Sequence, residues 1–332
     1  MRPGLKIEPI VPCLAIILLA LMAAGIALGE TALGMKGYLQ ALAAPSSPAG
    51  EILWSLRAPR VVTAAIVGAA LGVSGAVMQG LLRNPLADPG VLGVSAGGGL
   101  GAALAIAFGL AALPGAVEGA ALAGALAAGA VVVVIAGRFR APETLILFGV
   151  ALSAFAGALT ALVFNLSPSP VSNTEILSWL MGSVANRDWL DIARGLVPMA
   201  LGAGLCAYAA RALLMMTLGE ETAVMSGLPM GRLRAAAVAG AALLTGAAVA
   251  LAGIVGFVGL AAPHLVRAAV KGDPARILVP SALAGAILVV LADLIGRVVP
   301  TEVELKLGVI TALFGAPLFA LVAWRAARSW RA

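Results

Sequence analysis

Long apolar runs, broken by short polar clusters, set the pattern of this chain. A helix needs roughly twenty apolar residues to cross the hydrocarbon core of a membrane. Ten runs approach that length: Val11–Leu28, Arg60–Leu82, Val91–Leu110, Ala116–Ile135, Leu145–Leu166, Ile192–Leu214, Ala235–Leu251, the shorter Gly253–Val266, Ile277–Ile295 and Leu305–Val322. The first, behind Arg2 and Lys6, has the layout of a secretion signal. Its apolar run is long for that role and the downstream chain is membrane-like, so it reads as a retained span. Glu30–Pro59 is a polar loop centred on Pro45, Ser46, Ser47 and Pro48. Within the polar segment Ser167–Asp191, Glu175–Val184 is expected to form a short amphipathic helix with Trp179 as an interfacial anchor.

Arg83–Ser95, RNPLADPGVLGVS, punctuates the second and third spans. Pro85 and Pro89 cannot continue a helix, and Asn84, Asp88 and Gly90 supply turn chemistry. The segment reads as a hairpin between membrane helices. Its flanks, Gly68–Gly75 and Ser95–Gly99, are lined with small residues that let helix backbones approach closely in lipid.

Composition fixes the class. Apolar residues make up 62% of the 332 residues and charged residues 11%, with a mean hydropathy of +1.08. The expectation is an all-α polytopic membrane protein of about ten helices, one transmembrane domain over residues 1–332. The net charge of +6 does not mark a nucleic-acid binder, because basic residues collect in cytoplasmic loops. Ten spans place Lys36, Arg57, Arg60, Arg187, Arg194, Arg297 and Lys306 on one side and the remaining fourteen of the 21 basic residues on the other. Both termini are therefore expected in the cytoplasm. Cys13 and Cys206 lie in separate apolar runs and read as small buried hydrophobes.

Gly68-Ala-Ala, Gly75 and Pro85 reappear at identical spacing as Gly246-Ala-Ala, Gly253 and Pro263, and Ser95-Ala reappears later as Ser281-Ala. The copies begin at the second and seventh spans. An odd separation gives them opposite topology, an inverted repeat of spans two to five and seven to ten. Transporters with alternating access are commonly built this way.

Catalytic chemistry is missing from the pattern. His264 is the single histidine of the sequence, too little for a histidine-based catalytic or metal constellation, and it reads as a packing residue. No GxxxxGK[ST] phosphate loop is present, so ATP hydrolysis would belong to another subunit. No cofactor or metal site is expected. Glu118, Arg194 and Asp293 sit near span ends, and the lack of a mid-membrane carboxylate argues against the alternative of an ion-coupled secondary transporter. Two polar surfaces remain. Arg57 and Arg60, one helical turn apart, and Arg297 form a basic group on the outer side. On the inner side Gly219–Gly227 suits a short helix opened by Glu220 and Glu221 and capped by Gly227.

The segments LRAPR (Leu56–Arg60), GAALGVSGAVMQGLLRNPLADPGVLGVSAG (Gly68–Gly97), WLMGS (Trp179–Ser183), LGEETAVMSGLP (Leu218–Pro229), GFVGLAAPHLVR (Gly256–Arg267) and ELKLGVITALFGAP (Glu304–Pro317) together resemble the permease subunits of ABC importers for iron-siderophores, haem and cobalamin. The resemblance covers nearly all of the chain after residue 50. It implies a multi-pass homodimer in the bacterial cytoplasmic membrane, in contact with lipid. Two ATP-binding subunits would sit below it and a periplasmic substrate-binding protein above. By the same resemblance Arg57, Arg60 and Arg297 would dock the binding protein. Glu220, Glu221, Thr222, Ala223, Met225, Ser226, Gly227 and Leu228 would form the coupling helix resting on the ATPase. Ala141, Pro142, Glu143 and Thr144 would form the cytoplasmic gate, where Pro142 and Glu143 depart from the small hydroxyl residues common in the family. The cargo expected is an iron chelate, siderophore or haem, with cobalamin as the alternative.

Overall fold

The computed structural model describes residues 8–299 and 304–329, apart from 30, 32, 139–141, 168, 218–219 and 226. The described residues contain helices and no strand. In chain order these are α1 (Ile10–Ala27), α2 (Met35–Ala43), α3 (Pro48–Glu51), a π-helical stretch (Ile52–Arg57), α4 (Ala58–Leu82), α5 (Val94–Ala107), α6 (Ala116–Arg138), α7 (Pro142–Leu166), α8 (Pro170–Leu180), α9 (Trp189–Thr217), α10 (Glu220–Met225), α11 (Met230–Ala252), α12 (Val258–Val266), α13 (Leu278–Val298) and α14 (Leu307–Ser329); a single 3-10 turn at residues 110–112 separates α5 from α6.

Seven described helices are long and apolar enough to cross a membrane: α1, the continuous α3–α4 segment, α6, α7, α9, α11 and α13. The described apolar parts of α5 and α14 are shorter, and α12 has nine residues. Each of the ten predicted spans thus has a helix, three of them short. The brevity of α5 and α12 has a common local cause. Both start from a left-handed residue, Gly93 at φ +87° and Phe257 at φ +66°, so the chain enters each helix from irregular backbone.

The helix pairing matches the inverted repeat. Helix α4 packs along α13 and α11 along α6, and these are equivalent pairs when the two repeats are exchanged. The same exchange relates α5–α6 to α12–α13, α4–α12 to α11–α5, and α5–α7 to α12–α14. Each repeat completes the packing of the other. Close approach makes this possible: a Cβ built on Gly68 would lie 2.2 Å from the Gly285 carbonyl oxygen, and one on Gly75 1.8 Å from that of Gly259. Nothing larger than hydrogen fits there. Around these contacts α4 and α11 are mostly buried.

The hairpin after α4 is built as the prolines and Asx residues require. Arg83 is left-handed at φ 48° and ends the helix, and the Asn84 N–H donates to the Gln79 carbonyl at 3.2 Å. The Asn84 and Asp88 side chains accept from the Leu86 and Gly90 N–H groups at 2.9 and 2.7 Å. Three expectations are corrected. The expected polar loop Glu30–Pro59 contains α2, and the segment leading into the second span is helical from Pro48 rather than Arg60, because Ser47 caps it and Pro48 suits its first turn. Cys206 is buried, but Cys13 is exposed: α1 is barely covered by the rest of the chain and turns apolar side chains such as Ile16 and Leu19 outward. The amphipathic helix runs over Pro170–Leu180 rather than Glu175–Val184, because Ser169 caps it and Gly182 at φ +73° lies beyond its end. Its Trp179 packs inward against the cluster containing Ala102, Ile106 and Ala121 instead of reaching outward.

Candidate functional site

The three arginines predicted on the outer side are brought together, and the structure gives each a specific partner. Arg57 closes the π-helical stretch and is 6% exposed. Its guanidinium donates to the carbonyls of Ile26 and Ala27 at 3.2 and 3.0 Å, to the carbonyl of Thr31 and to the Tyr38 hydroxyl at 3.3 Å. Arg297, in the last turn of α13, donates to the carbonyls of Gly25 and Leu28 at 3.0 and 3.3 Å. The two cations thus satisfy the orphan carbonyls that end α1, where the helix dipole favours positive charge.

Asp293 of α13 lies between two of these arginines. Arg60, in the first turn of α4, donates Nε and Nη2 to Asp293 Oδ1 at 2.9 and 2.7 Å. Arg297 Nη2 lies 2.9 Å from Oδ2 as a charge contact. Arg60 also pairs with Glu304, in the connection before α14. The Asp293 side chain is 3% exposed and that of Glu304 30%. Three guanidiniums therefore meet two carboxylates, and the uncompensated charge rests on Arg57, whose described partners are all neutral.

Arg57, Arg60, Arg297 and Glu304 line a recess of about 560 Å³, together with Thr31, Asn186, Arg187 and Asp188. Arg187 is held by Glu118 of α6 at 2.5 Å, which fixes the opposite wall. Beside the recess lies an open apolar groove of about 670 Å³, with Met181, Ile254, Gly308 and Leu313 in its walls. It contains no titratable side chain. Backbone bonds hold the wall of this groove: the Leu307 N–H donates to the Gly182 carbonyl and the Gly308 N–H to that of Met181, both at 3.0 Å. Ser183 N–H donates to the Ala252 carbonyl at 2.8 Å. The WLMGS and ELKLG segments, far apart in sequence, form one wall.

On the opposite side, α10 spans Glu220–Met225 and Gly227 lies just beyond it at φ +72°, so a short helix with a glycine behind it forms where expected. Within it Thr222 is exposed, Ala223 is fully buried and Met225 is 85% exposed. Leu228 is half-buried. Ser226 lies outside the described residues, as do the side chains of Glu220 and Glu221. Of the gate turn, Ala141 lies outside the described residues, while Pro142, Glu143 and Thr144 form the first turn of α7. A proline in that turn spares an orphan donor, and the exposed Glu143 complements the helix dipole.

In the same region the Asp88 carboxyl is pushed up from the ordinary aspartate range by burial, which the Gly90 N–H only partly opposes. The pairing roles of Asp293 and Glu304 are not legible in the chain alone; their only sequence signal is that both are acids near span ends, on the side expected for the arginines.

The sequence model of the FecCD transport family matches residues 16–325. The chain is 42% identical over 289 residues to the uncharacterized ABC transporter permease protein YvrB of Bacillus subtilis (strain 168), covering 85% of this chain and 81% of that one. It is 37% identical over 324 residues to the vitamin B12 import system permease protein BtuC of Escherichia coli O157:H7, covering 95% of each. A solved structure described as an inward-facing conformation of a metal-chelate type ABC transporter superposes with a TM-score of 0.84 at 30% identity, covering 95% of this chain and 99% of that one.

Proposed function

The chain belongs to the FecCD transport family, and from that premise we propose that it is the membrane subunit of an ATP-driven importer for a bulky metal chelate. The observation that carries the reading is the apolar groove, free of titratable groups, opening beside the arginine recess. A large chelate with its metal wrapped in an organic shell needs width and weak, apolar walls rather than a charged binding site. No bond in the cargo is made or broken by this chain; ATP hydrolysis belongs to a separate subunit.

The assembly proposed is a homodimer in lipid in the bacterial inner membrane, with both termini cytoplasmic. Helices α7 and α14, equivalent in the two repeats, keep Leu147, Phe155, Leu313 and Phe314 exposed, which suits a second copy or lipid. An acidic surface of a substrate-binding protein meets Arg57, Arg60 and Arg297. The inner helix Glu220–Leu228 rests on an ATPase subunit, and its motion reaches the gate at Ala141–Thr144.

The cargo proposed first is an iron chelate, siderophore or haem. Cobalamin is the second reading, favoured by the vitamin B12 permeases among the relatives. The deciding experiment is uptake into sealed vesicles holding this permease and its ATPase, with the binding protein outside the permease mouth. Labelled ferric siderophore, haem and cobalamin are offered in turn, with and without ATP. Uptake of one that disappears without ATP or without the binding protein supports the reading and names the cargo. Uptake driven by an ion gradient alone would replace it with a secondary carrier.

A further inference from the structure

We propose that Glu304 is an exchangeable stand-in for a carboxylate of the docking protein: an incoming acidic side chain displaces it from Arg60 and so loosens the wall of the apolar groove. The inference rests on the docking reading above and adds to it a mechanism and a residue.

The two carboxylates on Arg60 differ in how firmly they are held. Asp293 is 3% exposed, sits within α13 and is engaged by both Arg60 and Arg297. Glu304 is ten times more exposed, sits in the non-helical connection ahead of α14, and touches Arg60 through one oxygen. Of the two, Glu304 is the one that exchange with solvent or another carboxylate costs least, since its side chain is the more exposed and its backbone is not committed to a helix. Arg60 is the more available of the two paired arginines, its side chain 16% exposed against 6% for Arg297.

Charge makes the exchange even. Arg57 and Arg60 both line the recess, and every described partner of Arg57 is neutral. A partner carboxylate that takes the place of Glu304 on Arg60 leaves the charge of the cluster unchanged. The displaced Glu304 returns to water, where an ionised carboxylate is at ease.

The consequence lies three residues further on. Leu307 and Gly308 are tied by their N–H groups to Gly182 and Met181, and Met181 and Gly308 are wall residues of the apolar groove. Glu304 is a side-chain anchor of the described part of this connection, through Arg60. Releasing it frees the segment that holds the groove wall at the moment the binding protein arrives.

The test uses the permease–ATPase complex in lipid nanodiscs and measures the dissociation constant for its substrate-binding protein at low and physiological salt. Glu304→Asp keeps the charge but withdraws it by one methylene, so exchange predicts tighter docking. Glu304→Gln removes the competing charge-assisted bond and is expected to tighten docking about tenfold. Asp188→Asn is the control: Asp188 lines the same recess without pairing to Arg60, and asparagine retains its helix-capping role. Tightening by both Glu304 variants that exceeds the Asp188→Asn effect supports exchange. Equal effects of Glu304→Gln and Asp188→Asn, with none from Glu304→Asp, mean that Glu304 contributes only to the general field, and overturn it. Weaker docking by the Glu304 variants means that Glu304 holds the docking surface together, and also overturns it. Wild-type complex that does not bind the protein at all would instead overturn the docking reading itself.

Discussion

Arg60 and Asp293 meet at 2.7 Å across 233 positions of sequence, joining the N-terminal end of α4 to the C-terminal half of α13. This ion pair ties together two helices that pack along each other, one from each repeat. Arg297 closes the arrangement from the same helix as Asp293.

Asp293→Asn is expected to strip two guanidiniums of their shared counter-ion. Breaking one partner of a buried pair typically costs about 3–5 kcal/mol. The variant should melt well below the wild type in detergent and accumulate poorly in membranes. An unchanged melting temperature would mean that Arg60 and Arg297 find solvent or Glu304 at no cost.

Glycine positions divide sharply by what surrounds them. Gly75→Ala drives a methyl into the Gly259 carbonyl, and forcing α4 away from α12 should cost about 1–3 kcal/mol or more. Gly119 on α6 has open space around its Cβ direction. Alanine there should stabilise by about 0.5–1 kcal/mol, since it lowers the entropy of the unfolded chain. Thermal unfolding of the two variants side by side checks the contrast.

Asp88 should give a measurable pH dependence. Its folded-state pKa is raised by burial, so its contribution to stability is present below the ordinary carboxylate range, near pH 4, and is lost as pH rises through the raised value. Asp88→Asn retains an acceptor for the Gly90 N–H and removes the charge. The variant should equal or exceed the wild type in melting temperature at neutral pH, with the advantage vanishing in acid. A variant less stable at neutral pH would show that the carboxylate makes a favourable charged contact.

The two cysteines offer a direct readout of folding. Cys13 is exposed and Cys206 is fully buried. In detergent, a fluorogenic maleimide that partitions into the micelle should label Cys13 faster than the buried Cys206, which reacts fully only on unfolding. Cys13→Ala should therefore yield a dark folded state with a single thermal transition. Immediate labelling of Cys206 would mean that α9 packs less tightly than its contacts indicate.

The sequence by itself determined the class and the order of ten apolar runs, each of which carries a helix. Hydrophobic run length, prolines and Asx residues act locally, and the membrane removes the choice between strand and helix for a spanning segment. The repeat was legible in the spacing of Gly68, Gly75 and Pro85 against Gly246, Gly253 and Pro263. Where α5 and α12 begin was not, because the left-handed backbone at Gly93 and Phe257 is fixed by neighbours: in α12's case Phe257 lies against Gly315 of α14, where a Cβ would come within 2.2 Å of its own. The arginines at 57, 60 and 297 could be named from the chain, but their partners could not. Arg57 is held mainly by carbonyls, which every residue carries, and Asp293 reaches Arg60 only after the two repeats interleave. Pairing at that range is set by which helix faces the close glycine contacts bring together, and only the tertiary structure decides that.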